Sequence, residues 1–187
     1  MAKNDNATLV IGSGNYLIAD TGTALPADLT APGVDWENIG HTSLEEILAM
    51  ASEGGEPTVL GTLQNKSLRT TYSTRTEAFN VILQQWDTGA LKLYYGANAI
   101  TTSDGLIAAA ASPTPTEKAF LGIFLDGETV FAIYAPKAEI YRAEDWAIED
   151  TESLAGLPIS VTPLNYDTNV WTYAVTPIGD PESSSAA

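Results

Sequence analysis

The strongest constraint on this chain lies between Phe120 and Tyr134. Phe120-Leu121-Gly122-Ile123-Phe124-Leu125 and Thr129-Val130-Phe131-Ala132-Ile133-Tyr134 flank an Asp126-Gly127 dipeptide. Two runs of aromatic and β-branched residues around such a turn predict a β-hairpin. A chain holding one must supply further elements to cover it. Apolar residues make up 44% of the 187 positions, enough to fill a core.

Further strand signals surround the hairpin. Leu9-Val10-Ile11 and Tyr16-Leu17-Ile18, separated by Gly12-Ser13-Gly14-Asn15, predict a second pair. Pro158 to Leu164 and Val170 to Val175, joined through Asn165 to Asn169, predict a third. Phe79 to Trp86 mixes signals, and its β-branched and aromatic content favours a strand. Two segments predict helices. Ser43 and Glu46 form a capping box, with Leu44, Ile47, Leu48 and Ala51 at helical spacing and Gly54-Gly55 as the stop. Thr88 as N-cap, followed by Leu91, Tyr94 and Tyr95 on one side and ended by Gly96, predicts the other. Residues 97–115, rich in Ala, Ser, Thr and Pro with an Asp104-Gly105 turn, read as a long loop between two halves. The expectation is a mainly β fold, a two-sheet sandwich or a barrel, with one or two short helices and long loops. It forms one domain over residues 1–180, with a disordered tail over 181–187.

Charge narrows the function. The chain has 24 acids against 8 bases, a net charge of −16. Residues 1–65 hold Lys3 against nine acids, residues 143–187 hold eight acids and no base, and residues 66–142 are neutral. This balance excludes a conventional DNA- or RNA-binding domain, which needs Lys and Arg to displace counterions. It also argues against binding to an anionic membrane. The absence of cysteine excludes disulfides, thiolate catalysis and zinc-thiolate sites. The N-terminal residues lack a secretory pattern and no apolar run reaches membrane-span length, so a cytosolic origin is expected. The N-x-S/T triplets at Asn6 and Asn65 are then chance matches.

Catalytic chemistry finds few carriers. His41 is the lone histidine and has no partner motif around it, so it reads as a loop residue. Gly12-x-Gly14 has Leu17 where a dinucleotide loop needs its third glycine. No calcium loop occurs. Carboxylates beside aromatics, Asp145 with Trp146 and Asp35 with Glu37 around Trp36, leave a sugar-binding or glycosidase-like sandwich open. The competing reading makes Trp36, Trp86, Trp146 and Trp171 packing anchors of core or interface. No catalytic residue, metal site or cofactor is expected.

Several segments taken together resemble the major tail tube proteins of long, flexible-tailed (siphovirus-type) bacteriophages, especially those of actinobacteria. They are Trp36 to Ser43, Glu53 to Glu56, Leu68 to Tyr72, Thr76 to Asp87 and Leu91 to Asn98, with Leu157 to Thr162 and Trp171 to Tyr173 downstream. Their order and spacing carry the likeness, which covers roughly Gly33 to Pro177.

The resemblance implies a β-sandwich subunit with a helix packed on it and an N-terminal arm, closing into hexameric rings that stack into a non-contractile, DNA-conducting tube. It implies neighbouring subunits joined sheet to sheet, and a first-half loop reaching the adjacent ring. That loop maps to residues 41–61, with Ser43, Glu46, Glu53, Gly54, Gly55 and Glu56 as its candidates. The implied helix is Thr88 to Tyr95; relatives would place an extended arm where the Ser43 box predicts a helix. Implied partners are further copies of the chain, a tape measure protein, tail terminator and distal tail proteins, and double-stranded DNA passing unbound. The implied location is the virion tail, after assembly in the host cytoplasm. A tube ring of a contractile or secretion apparatus keeps the architecture with other cargo. Acidic charge fits the DNA conduit, because an acidic bore repels a polyanion over about 8–10 Å and leaves no contact to break. Some of the acids outside residues 66–142 are the expected lining, and the sequence does not say which.

Overall fold

The structure, a computed structural model, describes residues 3–148 and 151–178. The chain is mainly β, 41% strand and 6% helix. The strands are β1 (Ser13–Ala19), β2 (Glu37–Asn38), β3 (Ala49–Gly54), β4 (Pro57–Leu60), β5 (Arg69–Tyr72), β6 (Arg75–Leu83), β7 (Ile100–Thr101), β8 (Ile107–Ala108), β9 (Thr116–Asp126), β10 (Thr129–Arg142), β11 (Leu157–Pro163) and β12 (Ala174–Val175). Among the described residues one α-helix, α1 (Thr88–Tyr95), lies between β6 and β7. An antiparallel sheet runs β2-β1-β9-β10-β11-β6-β3, with β12 also on β10. β4 pairs with β5 and β7 with β8 in two small separate ladders. The main sheet is open, β2 and β3 forming its ends, which fits the sandwich and not a closed barrel.

The Phe120 to Tyr134 hairpin is the spine of the molecule. β9 and β10 pair from Thr129↔Asp126 through Ala135↔Phe120, then resume at Ala138↔Lys118. The shift falls at Pro136, which has no N–H to give the ladder. Beyond it β10 changes partner. Its Ile133 and Tyr134 pair with β12, whereas Ala138 to Arg142 pair with β11. The two C-terminal runs therefore do not pair with each other, as their sequence order suggests. Both dock on β10.

Strand alternation sorts the core onto two faces. One face collects Tyr16, Phe79, Val81, Phe120, Phe124, Ile140 and Ile159 beneath Ala90, Leu93 and Tyr94 of α1. The other, behind β1, β9 and the first half of β10, collects Leu17, Ala119, Leu121, Ile123 and Ala132, with Trp36 and Leu29 over them. Helix α1 starts one residue earlier than expected. Asp87, not Thr88, is the N-cap and accepts from the Ala90 amide at 2.9 Å, and Gly96 closes the helix at φ +100°.

Three further expectations need correction. Leu9-Val10-Ile11 is not a strand; β1 begins at Ser13, inside the supposed turn, and pairs with β9 from Ser13↔Leu125. Gly14 is a packing glycine, since a Cβ there would stand 2.9 Å from the Phe124 ring. The Ser43 box forms only its first half. The Glu46 amide donates to Ser43 Oγ at 3.4 Å, yet no helix follows, and Ala49 to Gly54 extend along β6 as its edge partner. Finally, residues 97–115 carry the β7–β8 hairpin, turned at Asp104-Gly105, where the Gly105 amide donates to the Thr102 carbonyl at 3.0 Å. The expected tail over 181–187 lies outside the described residues.

Candidate assembly interface

The first-half loop is an arm made of strands. Residues 41–43 lie along the end of β6: the Gln84 amide donates to His41 O at 2.8 Å and the Ser43 amide to Ile82 O at 2.9 Å. The chain then bows out with Leu44 exposed and returns as β3, which pairs with β6 from Ala49↔Asn80 to Gly54↔Arg75. Within the bow Ile47 and Leu48 pack on the core, and the buried Tyr16 hydroxyl donates to the Ile47 carbonyl. Burial raises the Tyr16 phenol pKa, so this donor keeps its proton.

At Gly54-Gly55 the ladder stops. Both residues sit at positive φ, +80° and +71°, and a Cβ on Gly54 would run into the Thr74 carbonyl oxygen. Beyond this junction β4 and β5 project as a separate hairpin, with Pro57↔Tyr72 and Leu60↔Arg69 at its two ends. The Glu56 and Ser73 backbones and the Ser73 hydroxyl close its base, the Glu56 amide donating to Ser73 Oγ at 3.0 Å. Pairing places Pro57, Val59, Thr70 and Tyr72 on one face. Tyr72 is 72% exposed and Leu68, just before β5, is 61% exposed.

The residues singled out from the sequence thus fall at two places. Ser43 and Glu46 stand at the root of the arm, while Glu53, Gly54, Gly55 and Glu56 stand at the junction, with β3 between them. The hairpin itself extends past the expected limit at residue 61. Its signal was readable: Thr58-Val59-Leu60 and Leu68 to Tyr72 flank the polar stretch Gln64-Asn65-Lys66-Ser67.

The tryptophans divide likewise. Trp36 is buried against Tyr134, ring centroids 6.3 Å apart. Trp86 is half-buried and meets Trp146 edge-on at 5.5 Å. Trp146 and Trp171 keep exposed surface, Trp171 lying 6.2 Å from Tyr134. The geometry gives the sugar-site reading no support. Trp36 has no open ring face to stack a sugar, and Asp145 is exposed and 3.8 Å from Arg142. His41 is exposed, and no cluster of metal-binding side chains occurs among the described residues. A hollow of about 130 Å³ beside β1 is walled mainly by Leu17, Leu29, Pro32, Ile123 and Leu125, with no carboxylate in its lining.

Two sheet edges and one bare hairpin, β4–β5, are therefore the features left to explain, since β8 of the other small ladder is half-buried against α1. β2 and β3 end the main sheet, and the β4–β5 and β7–β8 ladders have no third strand among the described residues. Part of a sheet face, beyond the stretch that Trp36 and Leu29 cover, is also uncovered among the described residues. Opposite the core, Asn80, Ser160, Tyr141, Thr162, Glu139 and Glu117 follow one another across β6, β11, β10 and β9. Lys137 reaches Glu117 at 3.0 Å beside them.

Comparison with known proteins finds phage tail proteins. The family described as phage tail tube protein matches residues 1–177. Major tail protein Gp23 of Mycobacterium phage D29 is 36% identical over 181 residues, 89% of each chain. Major tail protein Gp23 of Mycobacterium phage L5 is 35% identical over the same length, again 89% of each.

Proposed function

The chain belongs to the phage tail tube protein family, a structural protein of the virion tail, and from that premise we propose that six copies close into a ring and that rings stack into a non-contractile tube conducting double-stranded DNA. The observation that carries the reading is the β4–β5 hairpin. A lone two-stranded hairpin is at best marginally stable in water, and no other element covers this one among the described residues. Its place is an interface with the adjacent ring. β2 of one copy and β3 of the next, the two sheet ends, extend the sheet around the ring by strand addition.

In this assembly the uncovered part of the sheet face becomes the bore, walled by Asn80, Ser160, Tyr141 and Thr162 and by Glu117 and Glu139, with Lys137 beside them. The wall acids then come from the neutral middle segment, not from the outer segments expected from the charge distribution. Each copy sets Glu117 and Glu139 against Lys137, which Glu117 holds at 3.0 Å, so six copies leave the bore net negative and keep that cation paired rather than offered to DNA. The role is structural, without a catalytic step or cofactor. Tape measure, terminator and distal tail proteins are its remaining partners, met in the host cytoplasm before the tail is complete.

Negative-stain imaging of concentrated protein, alone and with sheared tails as seeds, tests the reading. Rings or hollow tubes are expected, and a chain that stays monomeric in both settings overturns it. The bore has its own test. Glu117→Lys with Glu139→Lys should slow DNA release from assembled particles, and unchanged release kinetics would remove these residues from the wall.

A further inference from the structure

The hairpin differs from the rest of the molecule in charge. Residues 57–74 carry Lys66 and Arg69 and no acid, in a chain of net charge −16. Val59, Leu60, Leu63, Leu68 and Tyr72 are all exposed on it. It therefore offers an apolar surface with two cations at its outer end, and needs a partner surface that is apolar and anionic.

One such surface lies at the far end of the same strands. β6 begins at Arg75, against the hairpin junction, and ends at Leu83, opposite Leu157 of β11. The connection from β10 to β11 crosses that end. Its described residues include the exposed apolar side chains Trp146, Ile148 and Leu154 and the acids Glu144, Asp145 and Glu152, with no base. Nine residues of β6 separate hairpin from connection, about 30 Å at the usual rise of a strand.

The connection is built as a platform. The Tyr94 hydroxyl donates to Glu144 O at 2.7 Å and accepts from the Trp146 amide at 3.2 Å. The Trp146 indole donates to the Tyr95 hydroxyl at 3.3 Å, and the Trp86 indole to Ala155 O at 3.0 Å. Both ends of the connection are thus fastened to α1 and to the turn before it, while Trp146 remains 41% exposed. The Arg142–Asp145 pair is long and exposed, so Asp145 keeps free lone pairs for a second cation.

We propose that the β4–β5 hairpin of one copy docks on the β10–β11 connection of the next copy along the tube, Lys66 at the hairpin's outer end facing Glu144 and Asp145 and the Leu68–Tyr72 side lying against Trp146, Ile148 and Leu154. A contact between opposite ends of one subunit is heterologous, so it repeats without closing and builds a filament along the strand direction. It deepens the tube reading and rests on it, by naming which surface receives the arm. Opposite charge sets the register of the contact, and apolar burial supplies its area.

Seeded growth on sheared tails tests the docking. Lys66→Glu, and separately Glu144→Lys with Asp145→Lys, should each slow elongation about tenfold, and combining them in one chain should restore it. Unchanged thermal melting of the soluble variants shows that folding is intact. The chain lacks cysteine, so Leu68→Cys and Ile148→Cys supply a clean second readout. A mixture of the two single variants should give disulfide-linked dimers in grown tubes, and either variant alone should not. Wild-type tubes that grow while the charge reversals add up without rescue, or that give no mixed dimer, overturn the docking and leave the tube intact. Wild type that fails to grow on seeds overturns both.

Discussion

Two hairpins of this chain obey the same backbone rules and live in opposite surroundings. β9–β10 has strands of 11 and 14 residues, and Phe120, Leu121 and Ala135 on it are wholly buried. β4–β5 has strands of four residues each, almost all of them exposed. Pairing bonds form in both, yet a hairpin gains its stability from the area that other elements cover. The first is stable because its own chain covers one face along its length and the other over its turn-side half. The second is shaped by the chain and stays uncovered among the described residues, and in the proposed tube another copy covers it. Folding and assembly are thus separable, and substitutions should sort by which hairpin they touch.

The largest effect belongs to the central hairpin. Phe120 is fully buried, stacked at 6.2 Å from Tyr16 and 6.5 Å from Phe79. Phe120→Ala should cost about 3–5 kcal/mol in urea unfolding of the soluble chain, through lost transfer energy and the cavity left behind. A loss no larger than that of a surface substitution would mean the spine is not where stability resides. Next comes the junction between the two regimes. Gly54→Val sets a β-branched side chain at φ +80° against the Thr74 carbonyl, a strain of about 1–3 kcal/mol. Early hydrogen exchange at the β3 amides should report it, with the β9–β10 amides unchanged.

The same contrast explains what could be read from residues alone. Phe120 to Tyr134 was legible because pattern, turn and burial agree there. Helix α1 was legible because cap, apolar spacing and terminal glycine agree within one turn. The arm was misread because local and long-range terms conflict. Ser43 still accepts its capping bond, but Ile47 and Leu48 gain more by packing on the core, and Ala49 to Gly54 find a waiting edge on β6. Gly14 misled for a related reason: glycine marks a turn or a close approach, and only the position of the Phe124 ring distinguishes them. The platform from Glu144 to Ala155 was equally hidden, since Tyr94 and Trp86, which fasten its two ends, lie 50 and 69 residues from Glu144 and Ala155 in the chain.

Smaller effects probe the tether between the regimes. Tyr16 ties the core to the root of the arm through Ile47. Tyr16→Phe should cost about 1 kcal/mol near neutral pH. The folded phenol is held above its ordinary value of 10.0 by burial. Its contribution is therefore complete below that pH and lost as pH climbs past it, because the unfolded chain ionises first. The variant should show a shallower alkaline fall in stability than wild type; parallel curves would acquit Tyr16. Asp87 gives the opposite sign. Its carboxyl is lowered chiefly by the bond from the Ala90 amide, then by Gln85. Its contribution stands above the ordinary carboxylate value of 3.8 and is lost as pH falls through the lower folded value. Asp87→Ala should cost about 1 kcal/mol, with Asp87→Asn recovering most of it.

The smallest effect on folding is the most telling. Leu68→Ser with Tyr72→Ser removes two of the most exposed apolar side chains of the outer hairpin. If that hairpin belonged to the folding unit, the pair should destabilise the soluble chain as a core change does. If it belongs to the assembly, unfolding should shift by no more than about 0.5 kcal/mol, the range of an ordinary surface substitution. Tube growth on seeds should nevertheless stop, because the hairpin then has no apolar side to bury in the next copy. Melting and growth measured on one preparation thus separate the two roles. A variant that melts early and still elongates would show that the hairpin serves its own subunit, and the division drawn between the two hairpins would have to be abandoned.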